Sequence, residues 1–170
     1  ATYDDISKGR HLLYLDGAYM DAHVFVNDSL VGHRPYGYSS VLYDLSSYLK
    51  PGENELSISV DNSQQRNARW YTGSGIYRHV WLLNLPNTHV KPWSVYITTP
   101  KVEKYRSTVK ASFDVNGQSD GFTASVYIKN SDGKLLYETN TPINSESNNV
   151  EFKDVPLELW DIDTPYIYTL

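Results

Sequence analysis

Short apolar-rich runs, some alternating with polar residues at a period of two, recur along this chain between turn residues, and that pattern predicts its elements. Residues 10–16 (RHLLYLD) and 22–27 (AHVFVN) are short runs rich in β-branched and aromatic side chains, each bounded by turn residues. Asn27-Asp28 then tips the chain into residues 29–31, which predicts a hairpin with a tight turn. Residues 39–43 form another extended run. Asp44 is placed to cap a single helical turn over residues 45–49, which Pro51-Gly52 stops. Residues 55–60 (ELSISV) alternate without a break, so Leu56, Ile58 and Val60 are expected on one face and Glu55, Ser57 and Ser59 on the other. Residues 78–85 (RHVWLLNL) close this half. No stretch sustains a 3.6-residue period, so no long helix is predicted.

The texture changes at Leu85-Pro86-Asn87-Thr88, where a domain boundary is predicted. Beyond it, extended runs cover residues 93–98, 107–115, 122–129, 134–139, 149–152 and 165–170. Asn116-Gly117, Asp120-Gly121 and Asp132-Gly133 mark the turns between them. Strands at this spacing suggest a small antiparallel sandwich of immunoglobulin type. The fold class is therefore read as all-β, with two β-sandwiches in tandem.

Composition narrows the function. The 170 residues carry 15 Lys+Arg against 20 Asp+Glu, a net charge of −5 that argues against a nucleic-acid binder held by phosphate contacts. No apolar run approaches the roughly 18 residues of a membrane helix, so no membrane partner is expected. The absence of cysteine excludes disulfides, thiolate metal sites and cysteine nucleophiles. The unusual count is 15 tyrosines. A tyrosine ring buries well while its hydroxyl seeks a polar partner, which suits sheets with wet faces or a surface that stacks on sugars.

Alternation stops between Val60 and Arg78. The stretch runs from Asp61-Asn62-Ser63 through Asn67, Ala68, Arg69, Trp70 and Tyr71 to Gly73-Ser74-Gly75-Ile76-Tyr77. Loops this long are uncommon in compact domains and are often functional. A guanidinium beside aromatic rings can fork hydrogen bonds to hydroxyls while the rings stack on a sugar face. The plainer alternative is that Trp70 and Tyr77 plug the sandwich and Arg69 pairs with a carboxylate.

Here the residues form a pattern. Arg69-Trp70-Tyr71-Thr72-Gly73-Ser74-Gly75-Ile76-Tyr77-Arg78-His79-Val80-Trp81-Leu82 resembles a signature of glycoside hydrolase family 2, and more specifically of its bacterial β-galactosidases. Asp16-Gly17-Ala18-Tyr19-Met20 with Val24, Val26-Asn27 and Val31-Gly32 resembles the family's upstream run. Tyr36-Gly37-Tyr38, Tyr43-Asp44-Leu45, Asp61-Asn62-Ser63 and the closing Pro165-Tyr166-Ile167-Tyr168-Thr169-Leu170 also resemble family motifs, in family order.

The resemblance implies a galactose-binding-like jelly roll over residues 1–86 that lacks its first strands. It implies an immunoglobulin-like sandwich over residues 87–170 that lacks its last strand. A catalytic TIM barrel with two glutamates would belong to the parent enzyme and has no counterpart here, so no catalytic residue is assigned. No cofactor is expected in this segment, and any metal ions of the parent are placed in its barrel. In relatives the loop after the "DNS" strand reaches toward the barrel mouth. Arg69, Tyr71 and Asn67 are thus the candidate sugar contacts, while Trp70, Gly73, Gly75 and Ile76 are given structural roles. Expected partners are a β-galactoside-type carbohydrate, the parent's own barrel and a second copy of the chain. Two alternatives stay open: an independent carbohydrate-binding module, and a self-associating fragment. Compartment also stays open between periplasmic or secreted and cytoplasmic.

Other chemistry is weak. Asp161 with Asp163, and Glu53 with Glu55, read as solvated turn charges rather than the cleft pair that retaining hydrolysis needs. His11, His23, His33, His79 and His89 show no ligand spacing, so no metal site is assigned. Gly73-Ser74-Gly75 is no phosphate loop because no helix follows it. Asn27-Asp28-Ser29 fits a glycosylation acceptor, but the turn reading is preferred.

Overall fold

Short alternating segments with apolar residues on one face bury that face only by pairing edge to edge and stacking as sheets. The computed structural model describes the backbone of residues 2–3 and residues 8–64, 73–118 and 120–170. Among these residues the regular structure is strand, and the chain divides into two units, Ala1–Asn87 and Thr88–Leu170.

The first unit contains β1 (Thr2–Tyr3), β2 (Arg10–Leu15), β3 (Ala18–Tyr19), β4 (Ala22–Val26), β5 (Ser29–Arg34), β6 (Val41–Asp44), β7 (Gly52–Glu53), β8 (Leu56–Ser59), β9 (Gly75–Ile76) and β10 (Val80–Leu85). Two three-stranded antiparallel sheets, β10-β2-β6 and β5-β4-β8, are accompanied by two separate short pairs, β1-β7 and β3-β9. The core comes from the central strands. Leu13 and Leu15 of β2 meet Ala22, Val24 and Val26 of β4, with Leu45 beside them. Strand β4 obeys the period of two, burying every second residue.

The predicted hairpin turn is present. Asn27 and Asp28 both take positive φ (48° and 64°), the pattern of a type I′ turn whose twist matches the flanking strands. The Asn27 amide donates to the Tyr48 carbonyl and Asn54 Oδ1, and its Oδ1 accepts from the Glu55 N–H. It is engaged in the fold, which supports the turn reading. The single helical turn also forms: Leu45 O accepts from the Tyr48 and Leu49 N–H groups, and Asp44 Oδ1 accepts from the Ser46 N–H at 2.9 Å. Burial pushes the Asp44 carboxyl up. Hydrogen bonds from Ser46 and the charges of Arg10 and His11 outweigh that and hold it below the usual carboxylate range.

Strand β8 departs from its expected pattern. Leu56 is 43% exposed, and Ile58 and Val60 are only half-buried. The reason is position: β8 and β10 are edge strands. Leu56 with Val80 and Leu82 lines an apolar cleft of about 380 Å³, floored by Leu13, Val26, Leu45 and Leu49.

Gly32 lies under the Tyr43 ring, where an added Cβ would come within 2.1 Å of Cε1. The ring is thereby pressed into the sandwich, and its hydroxyl is buried with no hydrogen-bond partner among the described residues. Burial pushes the phenol's pKa up, opposed by the Arg34 charge. Removing an unsatisfied buried hydroxyl relieves its desolvation cost, so Tyr43→Phe should stabilise the unit by about 1 kcal/mol. A lower midpoint in urea for Tyr43→Phe than for the parent chain would show that the hydroxyl has a partner.

The second unit contains β11 (His89–Val90), β12 (Tyr96–Lys101), β13 (Ser107–Asn116), β14 (Thr123–Lys129), β15 (Leu135–Pro142) and β16 (Ser147–Val155). The ten-residue β13 pairs with β11, β12 and β16, while β14 and β15 form a hairpin. Val109, Phe113 and Val115 of β13 pack with Ile128, Ile143, Val150, Phe152 and Val155. The run 165–170 is not a strand. Thr169 exchanges both backbone hydrogen bonds with Lys129 in an isolated bridge, and the neighbouring Tyr168 hydroxyl accepts from the Glu158 N–H at 2.7 Å.

Candidate functional site

The interrupted stretch after Val60 is tied at both ends to the segment 17–20. On the way out, the Asp61 N–H donates to the Met20 carbonyl at 2.9 Å. Asp61 Oδ1 accepts from the Ser63 N–H at 2.8 Å, and the Ser63 groups hold this carboxyl below its ordinary range. On the way back, β9 pairs with β3, setting Gly75 opposite Tyr19 and Ile76 opposite Ala18. The Tyr77 N–H then donates to the Gly17 carbonyl at 3.2 Å.

Gly75 takes φ +112°, a conformation that side chains rarely adopt, at the residue where the chain re-enters the sheet. Gly73 has open space where a Cβ would lie among the described residues, so the local demand for glycine falls on Gly75. Ile76 is 48% exposed, its strand being a two-residue edge pairing. Asn67, Arg69, Trp70 and Tyr71 lie outside the described residues.

Around these two anchors the fold gathers tyrosines. The buried Tyr19 ring lies 5.1 Å from that of Tyr38, which meets Tyr36 edge-on at 5.8 Å. Tyr36 and Tyr38 are both more than half exposed. The Tyr77 hydroxyl donates to the Gly37 carbonyl at 2.7 Å, closing the group, and Arg78 sits 5.6 Å over the Tyr77 ring. Tyr19, Tyr38, Gly73 and Tyr77 line a hollow of about 220 Å³. Hydrogen bonding to Tyr19, then desolvation, holds the Tyr38 phenol above its ordinary pKa.

Two glycines make this stacking sterically feasible. A Cβ on Gly37 would lie 2.4 Å from Tyr19 Cδ2, and one on Gly17 would lie 2.6 Å from Tyr77 Cζ. Backbone thus rests directly on each ring. Neither contact is visible in strand periodicity, although the Gly17-Ala18-Tyr19 and Tyr36-Gly37-Tyr38 spacings are its trace in the sequence. Chemically, exposed rings beside phenol hydroxyls offer an apolar face and oriented donors, which suits a carbohydrate.

The remaining candidates fall elsewhere. Asp161 Oδ1 accepts from the Asp163 N–H at 3.0 Å in an exposed turn, and Glu53 and Glu55 are exposed. His23 and His33, which are ten residues apart in sequence, face each other across β4 and β5 next to Asp21.

Comparison with known proteins converges on one family. The profile described as "Glycosyl hydrolases family 2, sugar binding domain" matches residues 3–86. Among curated proteins, the chain is similar to the β-galactosidase BoGH2A of Bacteroides ovatus. The two are 40% identical over 164 residues, covering 91% of this chain and 19% of that protein. It is also similar to a putative β-glucuronidase of Formosa agariphila, at 36% identity over 96% of this chain and 16% of that one. Among solved structures, a family 2 glycosyl hydrolase from Bacteroides cellulosilyticus superposes with a TM-score of 0.83 at 28% identity. The match covers 98% of this chain and 24% of that structure. A β-glycosidase from Bacteroides vulgatus gives 0.85 at 28% identity, covering 95% and 21%. The chain thus spans less than a fifth of the two curated relatives.

Proposed function

Because the chain belongs to glycosyl hydrolase family 2, its first half being that family's sugar-binding domain, we propose that it is the noncatalytic segment of a retaining β-galactosidase-like enzyme. In this reading the segment works beside a TIM barrel that carries both catalytic glutamates and hydrolyses O-glycosidic bonds. Its contribution is positional. The stretch between Gln64 and Gly73 is delivered to the barrel mouth, with Arg69, Tyr71 and Asn67 hydrogen-bonding sugar hydroxyls and excluding water.

The observation that supports the proposal is the anchoring of the chain on either side of that stretch: Asp61 before it and Gly75–Tyr77 after it pair with residues 17–20, beside the exposed Tyr36 and Tyr38. A loop clamped at both ends on a rigid sheet can hold a side chain against a substrate. In the full-length enzyme, Arg69→Ala should lower kcat/KM for a β-galactoside on the order of tenfold, equivalent to one charge-assisted hydrogen bond of about 1.5 kcal/mol, with the melting temperature near that of the parent. Unchanged kinetics would remove Arg69 from the substrate site.

The exposure of Tyr36 and Tyr38 favours a second reading, an independent carbohydrate-binding module. Titrating the 170-residue chain with galactose and β-galactosides separates the two: saturable millimolar binding supports the module, and no binding supports the segment that needs its barrel. Pairing of two copies along β8 and β10 is a further reading, suggested by the apolar cleft between those edges. A monodisperse monomer in size-exclusion chromatography counts against it.

A further inference from the structure

We propose that Asp21, His23 and His33 form a binding site for a divalent late-transition ion, with zinc the best-matched probe. The site lies on the hairpin of β4 and β5 and is independent of the sugar-binding reading. His23 and His33 are direct cross-strand partners, so pairing puts their side chains on the same face of the sheet. Their rings lie 4.1 Å apart and within 16° of parallel. Asp21 joins them from the loop before β4, with its Oδ1 2.5 Å from His33 Nε2. One ligand atom from each of the three residues lies within 4.8 Å of the other two.

Two imidazoles and one carboxylate are the donor set that borderline divalent ions favour, and the single negative charge offsets part of the ion's own. The surroundings also preset one ligand. His23 Nδ1 lies 3.1 Å from the Asp21 carbonyl oxygen, which can accept only from an N–H. That bond fixes the proton on Nδ1 and leaves the Nε2 lone pair free, as outer hydrogen bonds do for metal-ligating histidines. The neighbouring cation, Arg34, is occupied with the Ser39 hydroxyl. Tetrahedral coordination would draw the ligand atoms to about 3.3 Å from one another. Half-exposed side chains can close that gap by rotating about χ1 and χ2.

Three protein ligands leave one coordination position for water or an outside group. The ion would also act as a clip. Asp21 accepts structure from both sides of its loop: its N–H donates to the Pro35 carbonyl, and the preceding Met20 carbonyl receives the Asp61 N–H. A metal at this point would tie the β4–β5 hairpin to the base of the tyrosine cluster.

Zinc chloride titrated into the EDTA-treated 170-residue chain, followed by histidine side-chain NMR, tests the site without any mutation. The ring signals of His23 and His33 should move with 1:1 saturation, while those of His11, His79 and His89 stay in place. Calorimetry on the His33→Gln chain, whose altered side chain is exposed, should show affinity reduced by roughly tenfold or more, and His89→Gln should match the parent. Absence of saturable binding overturns the proposal. So does movement of other histidine signals in preference to these two, or undiminished affinity in His33→Gln.

Discussion

Gly37→Ala should destabilise the first unit by about 2–3 kcal/mol, the cost of overpacking a site that cannot yield freely. The new methyl would start 2.4 Å from Tyr19 Cδ2, and Tyr19 is 5% exposed, so the ring has little room to retreat. The backbone cannot move outward cheaply either, because the Gly37 carbonyl accepts the Tyr77 hydroxyl. The same displacement would disturb Tyr38, whose ring lies 5.1 Å from that of Tyr19. A double-mutant cycle isolates the cause. In a Tyr19→Leu background the methyl meets a smaller neighbour, and most of the penalty should disappear. A Gly37→Ala chain within about 0.5 kcal/mol of the parent would mean that the ring does not rest on the backbone.

A larger loss is expected from Leu15→Ala, about 3–4 kcal/mol, made up of lost transfer energy and the residual cavity. Leu15 is 1% exposed and lies on the central strand β2, flanked by Val80 on β10 and Val41 on β6. Three strands hold its surroundings, so the site cannot collapse to fill the gap. Leu56→Ala is the informative contrast. Leu56 is the same residue type on the edge strand β8, 43% exposed at the rim of an open cleft. Its truncation should cost less than about 1 kcal/mol, because little apolar area is returned to water. Equal losses at the two positions, measured by urea unfolding, would mean that the cleft is filled in solution.

Local physics accounts for what could be read directly from residue order. Strand existence follows from period-two alternation, and the Asn27-Asp28 turn follows from the tolerance of these residues for positive φ. The Asp44 cap follows from a carboxylate placed beside the N–H of Ser46, which needs an acceptor. Each of these is decided within a few residues, so the sequence alone carries the information. The family resemblance was legible for a related reason: its motifs are contiguous, and Arg69 through Leu82 reads as one block even though part of it lies outside the described residues.

What depended on the tertiary structure concerns neighbours far apart in the chain. Alternation put Leu56 on an apolar face but could not show that β8 would be an edge strand, since strand order is a property of the assembled sheets. The run 165–170 has the composition of a strand yet makes one bridge, Lys129 with Thr169, because ladder pairing needs a neighbouring strand in register and composition does not supply one. The contact of Gly37 with Tyr19 spans eighteen positions, and no periodicity encodes it. The histidines illustrate the same limit: spacing offered no ligand pattern, while antiparallel pairing set His23 opposite His33 and a loop brought in Asp21. The sequence by itself determined the strands, the turns and the family, because those depend on each residue and its immediate successors. The tyrosine cluster, the open cleft and the histidine pair were decided only by packing, because they arise where segments distant in sequence come into contact.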